Sequence, residues 1–466
     1  MSGTRKVQKR KSKLRAGEIR RRKRDFLARI DYWNLVTVAI LPLATIVYLV
    51  YNGLPLIPHN QTTTWCGLVY FNLTMLSFTC GYHKYFAHKS FSTSSALATF
   101  MVMVGSSIGV GSVRWWAAMH RAHHHHVDDV EKDPYSVKRG LLWAHWGWLL
   151  RKPKRGFLQE YIEHEFPLVA NESDDGDVAM IELANNASRR YLLWFAVFGL
   201  IVPTMMTMFF SGDSWMNSLI YVGLLRMVVC QQAILLTESV CHSKSLHFSI
   251  PSQPFTDKNS SVNANNPLMS LLTYGQAHQN FHHEFPHDYR STSSTLAYDP
   301  TKWCLFMLSK FGLVWDLCRT PENLIMQLRI QQQQKIINRM KSQLNWGTPI
   351  SKLPIVTPQD FKRICDESVD KERIYIVIQN IIHDITPFMD QHPGGVPLLK
   401  ASHGKDATKA FYGGVYGHSA AATNLLATMR IGVLSTGNEE DVWRRVAEET
   451  VVEERASRAY QSAEAA

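Results

Sequence analysis

An uncharged stretch runs from Tyr32 to His83, giving 52 consecutive residues without Asp, Glu, Lys or Arg. A helix needs about 20 predominantly apolar residues to cross the hydrocarbon core of a bilayer. The stretch is therefore long enough to cross twice, and prolines near its middle mark a turn between the crossings. We predict one membrane span at 32–51 and a second at 65–82.

A second apolar hairpin predicts two further spans, at 191–211 and 215–237, so the chain is expected to cross the membrane four times. A further apolar stretch, 96–113, could cross only if the histidines before and after it lay on opposite sides. We therefore predict that it is a helix packed against the protein or lying at the interface. Arg226 falls within the fourth span, where it is expected to line a tunnel or to brace the bundle.

The positive charge of the chain is concentrated at its N-terminus. Residues 1–30 hold 13 Lys and Arg against two acidic residues, which accounts for the whole net charge of +11. Basic residues beside a span favour the cytosolic side and attract anionic lipid. We therefore predict a basic cytosolic tail at 1–30, contact with membrane lipid and no nucleic-acid partner. The seven cysteines are scattered without a paired motif, which disfavours a disulfide framework and a cysteine zinc site.

Histidines are grouped beside the predicted spans, all on the expected cytosolic side. On a helix, residues at i, i+3 and i+4 share a face, so His120, His123 and His124 can converge. Neutral imidazole is a common ligand of iron, copper, zinc and nickel. The number of histidines favours two metals over one, and the scarcity of neighbouring carboxylates indicates an all-nitrogen site. The groups are His83 with His88, His120 with His123–His126, and His282 with His283, and His242 follows the fourth span alone.

These motifs resemble those of the membrane acyl-CoA delta-9 desaturases, also called stearoyl-CoA desaturases. The resemblance covers residues 31–325. It implies four spans beneath a cytosolic helical cap, with nine histidines that bind two iron ions. The positions that match the family's ligands are His83, His88, His120, His123, His124, His242, His282 and His283. It also implies insertion of a cis double bond into a long-chain acyl-CoA with O2 and two electrons. The matching segments are Gly81-Tyr-His83-Lys-Tyr-Phe-Ala-His88, Trp115-Trp-Ala-Ala-Met-His120-Arg-Ala-His123-His124, Asp133-Pro-Tyr and Asn280-Phe-His282-His283-Glu-Phe-Pro.

The third histidine motif departs from the family pattern, which reads Gly-Glu-Gly-Tyr-His-Asn-Phe-His-His. Here Gln279 replaces the ninth histidine, and His278 lies one place earlier. Where the family has an asparagine that reaches one iron through water, this chain has Glu238. Glu238, Gln279 and His278 are therefore further candidate metal ligands. Asp133 and Asn280 are expected to orient ligand histidines.

A second domain is predicted at 351–436, after a linker at 326–350. It contains His392-Pro-Gly-Gly and, 26 residues later, His418. This pattern resembles cytochrome b5, which implies a small α+β domain that binds haem b between His392 and His418. Two axial histidines leave no open position for O2, so such a site transfers electrons. The acidic, alanine-rich tail at 437–466 is predicted to have no chemical role.

The order of the two domains resembles the fungal-type fused enzymes. We expect a mostly α, multi-pass protein of the endoplasmic reticulum membrane, with its N-terminus, active site and haem domain in the cytosol. Its partners are expected to be long-chain acyl-CoA, O2 and a cytochrome b5 reductase that supplies electrons from NADH. Two alternatives remain at this level: a di-iron lipid hydroxylase or oxidase, and a catalytically decayed membrane protein fused to cytochrome b5.

Overall fold

The chain forms two compact units that divide between Arg329 and Ile330. The predicted tails at 1–30 and 437–466 fall almost wholly outside the described residues. The structure, a computed structural model, describes residues 28–152, 157–167, 175–413, 417–435, 444 and 446–447.

Helices make up most of the first unit. The longer ones are α1 (Tyr32–Tyr51), α2 (Gln61–Leu76, continued by the wider turns of Ser77–Ala87), α3 (Ser95–Ile108), α4 (Val113–His125), α5 (Phe157–Glu165), α6 (Asp175–Arg189), α7 (Tyr191–Ser211) and α8 (Trp215–His242). They are followed by α9 (Pro267–Leu272), α10 (Gln279–Glu284), α11 (Pro300–Lys310) and α12 (Glu322–Ser342), which continues into the second unit. Short strands β1 (Ser92–Thr93), β2 (Pro251–Ser252), β3 (Asn263–Ala264) and β4 (Val314–Trp315) pair antiparallel, β1 with β4 and β2 with β3.

Within the described residues, three helices are long and apolar enough to cross a membrane: α1, α7 and α8. They coincide with the first, third and fourth predicted spans. The predicted second span, 65–82, lies inside α2, which does not meet this test because polar residues such as Asn72 and Thr74 interrupt its apolar sequence. The helix pair α3 and α4 is a fourth candidate only if its two bent halves are counted as one span.

The α3–α4 pair is bent by 82°. Gly109 follows α3 with φ +78°, and a Cβ atom there would lie 2.9 Å from the Phe195 ring. His88, before the pair, and His120, within α4, have their Nε2 atoms 2.9 Å apart. The chain therefore returns to the side on which it entered α3, so the apolar stretch 96–113 does not separate the two histidine motifs.

Arg226 connects several helices of the bundle. Its buried guanidinium donates hydrogen bonds to Thr74 Oγ1 on α2 at 3.2 Å, Ser107 Oγ on α3 at 3.3 Å and the Gly199 carbonyl on α7 at 3.0 Å. Of the two roles expected for this residue, the contacts support bracing of the bundle.

The second unit contains a four-stranded sheet in the order β5–β8–β7–β6. Strand β5 pairs parallel with β8, and the other pairs are antiparallel. Ile376 and Ile378 pack into one core, whereas Tyr375 and Val377 pack into another, as the two-residue period of a strand requires. The strands are β5 (Ile355–Val356), β6 (Tyr375–Ile378), β7 (Ile381–Asp384) and β8 (Arg430–Leu434), and the helices are α13 (Pro358–Ser368), α14 (Val396–Ala401), α15 (Thr408–Phe411) and α16 (Ala420–Ala427).

Candidate metal centre and haem site

Four buried histidines form the first imidazole group: His83, His88, His120 and His282. One possible ligand atom from each lies within 4.8 Å of all the others. The Nε2 atoms of His83 and His282 are 2.9 Å apart, and those of His88 and His120 are also 2.9 Å apart. The continuation of α2, the bent pair and α10 thus bring together residues that are far apart in the sequence.

Three further histidines form the second imidazole group: His123, His242 and His283. His283 Nε2 lies 3.2 Å from Nε2 of both His123 and His242. His123 comes from α4, His242 ends α8 and His283 comes from α10. The two groups are adjacent because α4 and α10 each supply residues to both.

His124 lies between the two groups. Its Nε2 atom is 3.0 Å from His282 Nε2 and 3.2 Å from His120 Nε2, both in the first group. Its ring also stacks on that of His283 in the second group, with centroids 4.2 Å apart. All eight histidines proposed from the sequence are therefore brought into one contiguous cluster.

The chemistry of this cluster suits metal ions. Burial, followed by the neighbouring histidines, holds the pKa values of His282 and His283 well below the usual range, so both rings stay neutral. Neutral imidazoles that point their Nε2 lone pairs at one another cannot all be satisfied by hydrogen bonds. A cation placed among them satisfies these lone pairs, and the donor set therefore fits a pair of metals.

Polar side chains orient several of these rings through Nδ1. Tyr135 Oη lies 2.7 Å from His120 Nδ1, and Asp133 Oδ1 lies 2.9 Å from His123 Nδ1. Ser260 Oγ lies 3.3 Å from His242 Nδ1. Asp133 thus occupies the place expected from the sequence, and Tyr135 belongs to the same Asp-Pro-Tyr motif. Sequence reasoning did not find Ser260, which lies in a loop without a distinctive motif.

Asn280 has a different role from the one expected. Its side chain hydrogen-bonds the backbone of Phe255, Thr256 and Ser261. It therefore fixes the loop before β3 instead of contacting a ligand histidine.

A small cavity adjoins the first group. Apolar side chains form much of its wall, and polar groups lie on the side of the metal centre. The lining residues are Met75, Phe78, Thr79, His83, Trp116, His120, Ile234, Thr237, Glu238, Thr273, Gln276 and Gln279.

Within the described residues, the three remaining candidate ligands join neither group. Glu238 is buried, with Oε1 3.6 Å from His120 Nδ1 and Oε2 unpaired. Gln279 donates through Nε2 to the Gln276 carbonyl at 2.9 Å and leaves its buried Oε1 unpaired. His278 lies just before α10, and burial lowers its pKa to about 4, with Lys302 as a second cause.

His392 and His418 face each other in the second unit. Their ring centroids are 6.2 Å apart, and the rings are inclined by 28°. Gly394 N–H donates to His392 Nδ1 at 3.2 Å, and His418 Nδ1 lies 2.8 Å from the Phe411 carbonyl oxygen. The carbonyl partner makes Nδ1 of His418 the protonated nitrogen, which leaves the Nε2 lone pair of that ring for a metal. The separation leaves room for one ion with a bond of about 2 Å to each ring, which fits the iron of a haem.

Comparisons with known proteins match both units. Residues 62–294 match the model of the fatty acid desaturase family, and residues 357–435 match that of the cytochrome b5-like heme/steroid binding domain. Acyl-CoA desaturase 1 of Saccharomyces cerevisiae is 34% identical over 405 residues, which cover 87% of this chain and 74% of that protein.

Two other relatives are similar over different shares of the chain. The probable acyl-CoA desaturase of Schizosaccharomyces pombe is 35% identical over 402 residues, 84% of this chain and 78% of that protein. The stearoyl-CoA desaturase of Homo sapiens is 27% identical over 294 residues, 62% of this chain and 75% of that protein.

The chain combines candidate membrane spans, a buried poly-histidine centre suited to two metals and a separate haem-binding domain. Together these features define a membrane oxidoreductase. The chain belongs to the fatty acid desaturase family, as an acyl-CoA desaturase fused to a C-terminal cytochrome b5-like domain. The family and the enzyme class predicted from the sequence are thereby confirmed.

Proposed function

We propose that this enzyme introduces a cis double bond, at the delta-9 position, into a long-chain saturated acyl-CoA. The observation that carries the proposal is the pair of imidazole groups beside a partly apolar cavity. The names of the relatives support the substrate, because they include acyl-CoA desaturases and a stearoyl-CoA desaturase.

Two iron ions are the metals proposed for this centre. The eight histidines would hold them, with Tyr135, Asp133 and Ser260 fixing the orientation of His120, His123 and His242. When bound, the irons supply the activation of O2 that removal of hydrogen from an unactivated methylene group requires.

The cavity walls would determine which methylene group reacts. Phe78, Trp116 and Ile234 form an apolar wall beside His83 and His120, and the cavity of about 20 Å³ between them would have to widen to admit an acyl chain. Holding the chain in a fixed position exposes one carbon to the metals and excludes water from the reaction.

The haem domain would deliver electrons one at a time. His392 and His418 would close both faces of haem b, which suits electron transfer and leaves no position for O2. Fusion raises the effective concentration of this donor to about millimolar, compared with a free carrier. A cytochrome b5 reductase that uses NADH is the proposed source of the electrons.

We place the enzyme in the endoplasmic reticulum membrane, with its N-terminus, metal centre and haem domain on the cytosolic side. The basic residues of 1–30 support this orientation by the positive-inside rule. Acyl-CoA and the reductase would then reach the enzyme from the cytosol.

The test is expression in a cell that lacks its own delta-9 desaturase, followed by mass analysis of the cellular lipids. We expect fatty acids two hydrogens lighter than their saturated precursors, with the double bond after carbon nine. His282→Ala serves as the inactive control, because it removes a residue of the first group. Products heavier by one oxygen would instead identify a hydroxylase, and absence of any product with normal iron and haem content would contradict the proposal.

A further inference from the structure

The two imidazole groups are unequal. Within the described residues, the first group has four histidines and the second has three. His124 has its Nε2 contacts with the first group, so it does not make up the difference. A three-nitrogen site leaves further coordination positions of an iron ion to be filled by other donors.

Two buried oxygen atoms without hydrogen-bond partners belong to residues that adjoin the imidazole cluster. Glu238 Oε2 and Gln279 Oε1 are both unpaired, and their residues are 3% and 2% exposed. Leaving a buried polar atom unpaired costs free energy, and a buried carboxylate costs considerably more unless a cation balances it. Among the described residues, no lysine or arginine forms an ion pair with Glu238.

The positions of these residues on their helices favour the second group. Gln279 precedes His283 of the second group by four residues in α10 and His282 of the first group by three, so the helix face places it at the junction of the two groups. The Gln279 carboxamide also lies beside the His242 ring. Glu238 precedes His242 by four residues near the end of α8 and lies close to His123.

Two competing roles agree less well with the contacts. Glu238 could serve only to orient His120, but Tyr135 Oη is closer to His120 Nδ1, at 2.7 Å compared with 3.6 Å. His278 could supply the nitrogen that Gln279 lacks, but its ring belongs to neither group. It lies near the charge of Lys302, which helps to lower its pKa after burial.

We propose that Glu238 and Gln279 supply oxygen donors to the metal of the second group, which makes the two metal sites chemically different. The first site is all-imidazole, whereas the second combines three imidazoles with a carboxylate and an amide carbonyl. A negatively charged oxygen donor stabilises the oxidised metal and favours harder ions such as iron and manganese over copper. This inference rests on the proposed two-metal function and assigns these residues a role in it.

The experiment measures metal in the purified full-length protein. Haem is quantified by absorbance, and total iron minus haem gives the non-haem iron of each variant. Mössbauer spectra of iron-enriched protein then separate the two sites. Beside the haem signal, we expect two distinct non-haem quadrupole doublets of equal area for the unmodified enzyme, because the two ligand sets differ.

Glu238→Gln keeps the shape of the side chain and removes its charge. We expect non-haem iron to fall from about two to about one per chain, since loss of a metal-site group weakens binding by about 10–100-fold or more. The doublet of the all-imidazole site should remain. Adding Gln279→His to this variant should restore the second iron by providing a fourth nitrogen.

Glu165→Gln is the matched control. Glu165 is a partly buried carboxylate of α5 that pairs with Arg121 at 2.6 Å, outside the metal centre. Its substitution should leave both doublets and both irons unchanged. The haem content of every variant reports whether the chain has folded.

Three results would decide against the proposal. Glu238→Gln with two irons and unchanged spectra would exclude Glu238 as a donor. Loss of the second iron in His278→Ala, with retention in Glu238→Gln, would assign the position to His278. An unmodified enzyme with normal haem and no non-haem iron would overturn the proposed function itself, together with this inference.

Discussion

The hydrogen bond between Asp133 and His123 illustrates how single residues outside the ligand set shape the metal centre. Asp133 Oδ1 lies 2.9 Å from His123 Nδ1, and Oδ2 accepts from the Asp128 backbone at 3.0 Å. The carboxylate therefore fixes which ring nitrogen of His123 carries a proton. Such residues were only partly predictable from the sequence, because Asp133 belongs to a recognisable motif whereas Ser260 contributes one hydroxyl from a loop.

We predict that Asp133→Asn lowers the affinity of the second site for iron by about 10–100-fold, because an amide can no longer enforce the same histidine tautomer. Equilibrium titration with a chelator measures the effect. Asp129→Asn is the control, since Asp129 is in the same loop but its side chain accepts from the exposed backbone N–H groups of Glu131 and Lys132. Equal affinities for the two variants would show that Asp133 does not support the site.

His383 predicts a pH-dependent stability of the second unit. It lies in β7, is 2% exposed, and burial followed by Arg430 lowers its pKa to about 4. In the unfolded chain its pKa is about 6.5, so between these values only the unfolded chain binds the proton. Acidification through this window should therefore reduce the free energy of unfolding by about 3 kcal/mol, with no contribution from His383 above it.

Urea denaturation of a fragment covering residues 330–466, followed by circular dichroism, measures this dependence. His383→Gln removes the titrating group and should flatten the slope between pH 4 and 6.5, the window set by the two pKa values. An unchanged slope in the variant would assign the acid sensitivity to other residues.

At the level of elements, the bend between α3 and α4 is the feature that brings the histidine motifs together. Gln231, on α8, donates to the Ile108 carbonyl at 2.8 Å and to the Thr37 carbonyl at 3.0 Å. Thr37 Oγ1 in turn donates to the Gly109 carbonyl at 2.8 Å. These side chains satisfy backbone groups that the break in the helix leaves without helical partners.

Gly109→Ala should destabilise this bend, because alanine disfavours φ +78° and its Cβ would lie 2.9 Å from Phe195. We expect a loss of about 2–4 kcal/mol, combining backbone strain with overpacking. Gly53→Ala is the matched control, since Gly53 has φ +61° but nothing within 4 Å of its Cβ position. Thermal unfolding in detergent should place Gly109→Ala well below Gly53→Ala, and equal melting temperatures would contradict the close approach.

Apolar runs in the sequence located α1, α7 and the greater part of α8 closely, because each is long and apolar enough to cross a membrane. The end of α8 was not predictable in the same way. The helix continues to His242, beyond the predicted limit at 237, because its polar last turns pack against the metal centre instead of lipid. Hydropathy alone also fails to identify α2 as a span. Its polar residues Thr74 and Ser77 lower the mean hydropathy, although both are buried inside the protein.

At the scale of the whole molecule, the contact between His88 and His120 requires both flanks of α3 to lie on one side of the membrane. We predict that tags at Met1, Lys154 and Ala466 are accessible in sealed microsomes, whereas a tag at Asn60 is protected, because α1 and α2 form a hairpin with Asn60 at its far end. Protease protection provides the measurement. Opposite exposure of Met1 and Ala466 would contradict the four-span arrangement.

The distribution of the histidines along the chain also sets an order of assembly. Both imidazole groups draw on α10, through His282 and His283, whereas their earliest member is His83. Neither group is complete until α10 has left the ribosome, by which time the membrane helices that position the other residues have been synthesised. Metal binding by the complete groups would therefore come late in biogenesis, and haem binding between His392 and His418, which lie further along the chain, would come later still.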